Sequence, residues 1–221
     1  MIKDNIKKIL EELPVGIELV VATKERNVSE IEQAIEAGVK IVGENYIKEA
    51  QEKVIPLGDK VKWHFIGHLQ KNKVKKAAKI FDMIETLDSL VLAQVLNREC
   101  EKINKVMPVL IEVNSAGEAQ KQGVLFDDVE VLLERILQFA NLKPVGLMTM
   151  GPWLDNPEDL RPFFQKTKVL FDKIKNDYQG KLVWNYLSMG MSTSYKIAIE
   201  EGANLVRIGT AIFGKRKCNY R

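Results

Sequence analysis

Residues 17–42 read IELVVATKERNVSEIEQAIEAGVKIV, and this stretch decides the fold class. Ile17–Ala22 is a short apolar run rich in branched side chains, which reads as a strand. Ser29–Ala37 then sets Ile31, Ala34 and Ile35 at helical spacing, with Ser29 placed to cap the helix and Gly38 to end it. Val39–Val42 is a second apolar run. Strand, helix and strand in immediate succession make a parallel βαβ unit.

The same alternation continues to the end of the chain. Predicted strands follow at Trp63–Ile66, Met83–Thr86, Val109–Val113, Pro144–Met148, Leu182–Leu187 and Leu205–Ile208. Predicted helices lie between them: Tyr46–Val54, a lysine-rich segment ending at Ile80, Ser89–Lys102, Asp127–Phe139, Leu160–Asn176, and a last one ending at Glu200. Eight strand–helix units predict an α/β fold, a single (β/α)8 TIM-type barrel. A doubly wound open sheet is the rival architecture. An extra N-terminal helix, Ile2–Glu12, carries Ile6, Ile9, Leu10 and Leu13 on one stripe and is placed to plug or flank the barrel bottom. No linker or low-complexity segment interrupts the pattern, so residues 1–221 are expected to form one domain.

Composition narrows the function. Apolar residues make up 46% of the 221, enough for a real core, and 33 basic against 30 acidic residues leave a net charge of +3. That balance carries no footprint for nucleic acid. Lys71, Lys73, Lys75 and Lys76 cluster, and read as a solvated helix face. So does the terminal Lys215-Arg216-Lys217, as a solvated tail. Cys100 and Cys218 stand far apart, as expected of reduced thiols. No apolar leader follows Met1 and no run approaches a membrane span, so a soluble cytoplasmic protein is expected.

In a parallel barrel the working face lies at the C-terminal ends of the strands. Polar and small residues gather there. Lys24 follows strand one directly. An amine at such a mouth can form a Schiff base with an aldehyde, although an exposed strand-end lysine is the plainer reading. Ser188 and Ser192 follow strand seven, and Gly209 and Thr210 follow strand eight. Loops in that position, leading into helix N-termini, form the recurrent phosphate site of this fold; ordinary helix caps are the alternative. Arg207 lies inside strand eight and needs a partner. That partner is either the ring nitrogen of a cofactor or a carboxylate such as Glu44 or Glu112. His64, between Trp63 and Phe65, reads as a satisfied buried histidine or a cofactor contact; His68 reads as exposed. Neither histidine has companions at metal-ligand spacing. Lys121, in the loop ending at Gly123, reads as solvated or as a second amine near the mouth.

Taken together, these segments resemble the pyridoxal phosphate homeostasis protein family, which is related to the barrel domain of alanine racemase. The resemblance rests on Val20–Lys24, Gly43-Glu44-Asn45-Tyr46, Trp63–Gly67 with Leu69-Gln70 and Asn72-Lys73, Val113-Asn114 with Lys121 and Gly123, and Gly146–Met150. The longest blocks are Leu187–Ser192 and Val206–Gly214. The resemblance implies pyridoxal 5′-phosphate (PLP) as the cofactor, carried on Lys24. It implies that Ser192, Gly209 and Thr210, with Ser188 nearby, hold the phosphate, and that Arg207 faces the pyridine nitrogen. Asn45 and Met191 would line the ring, with His64 below it; Lys121 matches a second PLP-reactive position. The family usually has an Asp where this chain has Ser194, which puts the capping of that loop in question.

The function so implied is PLP binding and homeostasis, supplying or buffering the cofactor for PLP-dependent apoenzymes with little or no turnover. An amino-acid racemase-like enzyme is the alternative. It would need a second base opposite Lys24. Tyr46, Tyr186 or Tyr195 could be proposed for it, but nothing in the sequence places them opposite Lys24, and the racemases' second domain is not expected here; a monomer is expected for the same reason. A barrel binding some other phosphorylated metabolite is a third reading, separated from the others by Lys24.

Overall fold

The computed structural model describes residues 1–118 and 120–214. Eight parallel strands close into a barrel in chain order. They are β1 (Glu18–Ala22), β2 (Ile41–Glu44), β3 (Lys62–Phe65), β4 (Met83–Leu87), β5 (Met107–Glu112), β6 (Leu142–Met148), β7 (Tyr186–Ser188) and β8 (Leu205–Ile208). Closure is made by β1 on β8, with Val20 opposite Arg207 and Val21 opposite Ile208. The helices are α1 (Ile2–Glu12), α2 (Val28–Glu36), α3 (Ile47–Leu57), α4 (Val74–Ile80), α5 (Leu90–Glu101), α6 (Val129–Ile136), α7 (Arg161–Asp177), α8 (Tyr195–Glu200) and α9 (Thr210–Phe213). The predicted barrel is therefore the observed one. The basic tail 215–217 and Cys218 lie outside the described residues.

Period-two alternation along each strand divides the core in two. Val20, Ile41, Met83, Leu110, Val145 and Leu205 point into the barrel and fill its lower part. Their neighbours, such as Val21, Val42, Phe65 and Ile84, face outward under the helices. Glycine is required where strands approach most closely. A Cβ on Gly146 would fall 1.8 Å from the Tyr186 carbonyl oxygen on the adjoining strand.

Three local expectations change. The cap of α2 is Asn27, not Ser29: its side chain accepts from Glu30 N at 2.9 Å while the Glu30 carboxylate accepts from Asn27 N at 2.9 Å. This reciprocal pair satisfies two free N–H groups, which Ser29, already inside the first turn, cannot do. β7 starts at Tyr186 rather than Leu182. The apolar residues before it are there for helix packing: Trp184 stacks on Phe171 of α7, 5.9 Å between ring centroids, and donates to the Phe171 carbonyl. Finally, α1 flanks the barrel and does not plug it. It runs along α2, Glu12 accepts from the Tyr195 hydroxyl of α8 at 3.0 Å, and Asn5 donates to the Ile212 carbonyl of α9 at 2.8 Å. With only six residues in α8, α1 completes the helical ring.

Candidate cofactor site at the barrel mouth

A cavity of about 530 Å³ opens at the C-terminal ends of the strands, with Lys24, Asn45, Glu112, Lys121, Met191 and Arg207 among its walls. Lys24 stands at the end of β1 with its side chain about one-quarter exposed; its Nζ lies 3.9 Å from Glu25 and 4.9 Å from the Tyr46 ring centre. Asn45 is held by close backbone contact. A Cβ on Gly67 would fall 2.3 Å from the Asn45 carbonyl oxygen, so only glycine lets β2 and β3 converge here.

Beneath the cavity lies a buried polar network. Glu85 of β4 bonds His64 Nδ1 at 2.7 Å through one oxygen and accepts from the Ser188 hydroxyl at 2.6 Å through the other. Arg207 donates to Ser188 Oγ and, at 2.8 Å, to the Thr149 carbonyl; its guanidinium is 4.0 Å from Glu85. Every member is nearly or wholly buried. Burial pushes the Glu85 carboxyl up. The hydrogen bond and charge of His64, the Arg207 guanidinium and the Ser188 hydroxyl outweigh it and hold Glu85 below its ordinary range. Burial likewise pulls Arg207 down, against Glu85 and Glu112. Glu112 is different: burial, with Asp88 nearby, pushes it up to about 7 against the pull of Arg207.

Arg207 thus has a carboxylate partner, but neither expected one in contact. Glu44 is taken by Lys53 at 2.7 Å, and Glu112 acts on Arg207 only through space. The partner is Glu85, which sequence reasoning missed. A carboxylate inside the run Met83-Ile84-Glu85-Thr86, on the same face as Met83, was the available signal. His64 is a satisfied buried histidine, and His68 is half exposed, as read. Ser188 is drawn into this network. Lys73, Lys75 and Lys76 are exposed, in keeping with a solvated face.

Ser192 precedes α8 by three residues and reaches across to α9 instead. Its hydroxyl accepts from Gly209 N and Ala211 N, both at 3.2 Å. Both backbone donors thus meet on the Ser192 hydroxyl oxygen itself. A Cβ on Gly209 would crowd Ala22 at 3.3 Å, so the approach is kept open by glycine. Ser194 is buried, and its hydroxyl accepts from Met191 N at 3.1 Å, which ties the loop. Lys121 pairs with Glu118 at 2.8 Å on the cavity rim. Of the tyrosines, Tyr46 sits beside Lys24, Tyr195 bonds Glu12 on the outer wall, and Tyr186 packs low in the barrel with the interior cluster.

Comparison with known proteins agrees with the fold. The family model for the alanine racemase N-terminal domain matches residues 1–217. A pyridoxal phosphate homeostasis protein of Aquifex aeolicus is 45% identical over 85% of this chain and 82% of its own. PipY of Synechococcus elongatus superposes at a TM-score of 0.91 without PLP and 0.89 with PLP bound, at 29% and 28% identity, covering 97% of this chain and 100% of PipY. Alanine racemase of Clostridium difficile has a TM-score of 0.81 at 14% identity, over 99% of this chain and 57% of its own; that likeness is one of fold. On the fold, the closing strands and these matches, the chain belongs to the pyridoxal phosphate homeostasis protein family, within the wider group built on the alanine racemase N-terminal domain.

Proposed function

We propose that this protein holds pyridoxal 5′-phosphate as a Schiff base on Lys24 and supplies or buffers it for PLP-dependent apoenzymes, with little or no turnover of its own. The observation that carries this reading is Lys24 itself. It is a lysine on the wall of a roomy cavity, outside the buried charge networks that engage Lys53 and Arg207. The N–H groups of Gly209 and Ala211, which here meet on the Ser192 hydroxyl, are donors of the kind that would hold a phosphate, with Thr210 between them in sequence. Asn45 and Met191 would flank the ring and Arg207 would face its nitrogen, with His64 and Ser188 supporting from below. Lys121 is a second amine on the same rim. Bound to an amine, such a cofactor supplies an electron-withdrawing ring. Arg207, kept cationic by Glu85 and Glu112, would leave the ring nitrogen unprotonated and so restrain carbanion chemistry. Tyr46 stands beside Lys24 rather than across from it, and Tyr186 and Tyr195 lie elsewhere, which weighs against a racemase. We further propose that residues 1–221 act as one domain, as a cytoplasmic monomer. Among the described residues no helix is long and apolar enough to cross a membrane.

The test is an absorption spectrum of protein mixed with PLP, before and after borohydride, followed by peptide mapping. A visible absorption that borohydride bleaches, leaving a stable adduct mapped to Lys24 and absent in Lys24→Ala, is the expected result. Lys24→Ala should stay folded, within about 0.5 kcal/mol of the parent, since the side chain is partly exposed. No chromophore would leave a phosphate-binding barrel for a different metabolite. A chromophore with rapid racemisation of an added amino acid would return the enzyme reading.

A further inference from the structure

The peptide segments on both sides of Lys24 are gripped by one buried charge network. The Lys53 ammonium, on α3, donates to the Thr23 carbonyl at 2.8 Å, to Glu44 at 2.7 Å and to Glu49 at 3.0 Å. The Thr23 hydroxyl donates to that same Glu44 oxygen. On the far side, Glu25 N donates to Glu49 at 2.8 Å. Glu25 adopts φ of 61°, a left-handed conformation that a residue with a Cβ holds only when its surroundings impose it. Lys53 and Glu44 are nearly or wholly buried, and the second Glu44 oxygen has no partner. An isolated structural pair would favour apolar replacement. Here two of the three donor contacts from one ammonium reach the residue before Lys24 and the carboxylate that holds the residue after it.

We infer that Lys53 is a positioning residue for Lys24: through the Thr23 carbonyl directly, and through Glu49 to Glu25, it fixes the turn that aims the Lys24 amine into the cavity. The inference rests on the reading that Lys24 is the cofactor-bearing amine. It assigns no contact between Lys53 and cofactor. Its consequence is a division of labour: phosphate capture belongs to the β7 and β8 loops, and amine presentation to β1, β2 and α3.

The experiment separates the two. Wild type and Lys53→Met are titrated with PLP, reading the borohydride-trapped adduct on Lys24, and with 4′-deoxypyridoxine 5′-phosphate, which keeps ring and phosphate but lacks the aldehyde. The expected result is a loss of adduct of ~10-fold or more, as misplacing a reacting group costs, with affinity for the aldehyde-free compound within ~2-fold. Lys53→Arg, which keeps charge and several donors, recovers part of the adduct. Unchanged adduct formation in Lys53→Met overturns the inference, and so does a parallel loss of both ligands. If Lys53→Met does not fold, Glu49→Ala decides. It removes a partly exposed side chain, and should both speed amide exchange at Glu25 and lower the adduct while sparing the aldehyde-free ligand. Unchanged exchange and adduct would count against the inference. If wild type forms no adduct on Lys24, the functional reading falls and the inference with it; that outcome is distinct from every Lys53 result.

Discussion

Burial makes ionisable groups costly, and the residues under this mouth show three ways of meeting that cost. Glu85 is satisfied by His64, Ser188 and the nearby Arg207 and stays ionised. Glu44 shares one oxygen with Lys53 and Thr23 but leaves the other bare, and burial pushes it up despite its partner. Glu112, on the cavity wall, is pushed to about 7. The sign of its effect on stability follows. In the unfolded chain Glu112 ionises near 4.5; in the folded one it holds its proton to about 7. The folded state therefore binds the extra proton, and stability falls as pH rises between these values and levels off above them. Glu112→Gln removes that dependence. Its stability relative to wild type should improve progressively from pH 5 to pH 8, by at most roughly 3 kcal/mol. Denaturant unfolding at the two pH values checks this, and a pH-independent difference would show that Glu112 titrates like an exposed carboxylate.

At the scale of elements, α1 is the informative case. It sits in the ring between α2 and α8, so its buried face should count as core. Ile6 is fully buried, and Ile6→Ala should cost about 2–5 kcal/mol. A cost below ~1 kcal/mol would make α1 a peripheral addition whose loss the barrel tolerates. The elements were legible from sequence where periodicity alone sets them: the strand alternation and the stripes of α1 and α2 read directly. Apart from the Asn27 cap, whose partner Glu30 is three residues away, the missed features depend on partners further along the chain. The run before Tyr186 looks like strand because it is apolar, but Trp184 is apolar for the sake of α7. Lys53 and Glu49 look like a solvated pair four apart on a helix; only the placement of β1 and β2 buries Lys53 against Thr23 and Glu44. Glu85 has its partners on β3, β7 and β8, which only barrel closure brings inside. Lys24, Asn45, Met191 and Arg207, which line one cavity, were legible as a group because barrels of this kind place all strand ends on one face.

Closure of the whole molecule depends on β1 meeting β8, the pairing most distant in sequence, and the candidate site straddles that seam. Lys24 lies two residues beyond β1, while Arg207, Gly209 and Thr210 lie on or just beyond β8; Gly209 packs close to Ala22. A ligand joined to Lys24 and held by the Gly209 loop would bridge the first and last strands, and opening the barrel would first require its release. Such a ligand stabilises the native state by mass action, about 2.7 kcal/mol at a hundredfold excess over Kd. For a chain of this size that is a rise in Tm of roughly 5–10 °C. PLP should therefore raise the Tm of wild type by that amount and of Lys24→Ala by distinctly less, because the variant keeps only the phosphate side of the bridge. The aldehyde-free 4′-deoxypyridoxine 5′-phosphate, which engages that side alone in either protein, should shift both equally. Differential scanning fluorimetry at the same ligand concentration for both proteins, a hundredfold above the wild-type Kd, distinguishes the cases. Equal shifts with PLP in wild type and variant would mean that the seam is held by the phosphate loops and that Lys24 contributes nothing to closing the barrel.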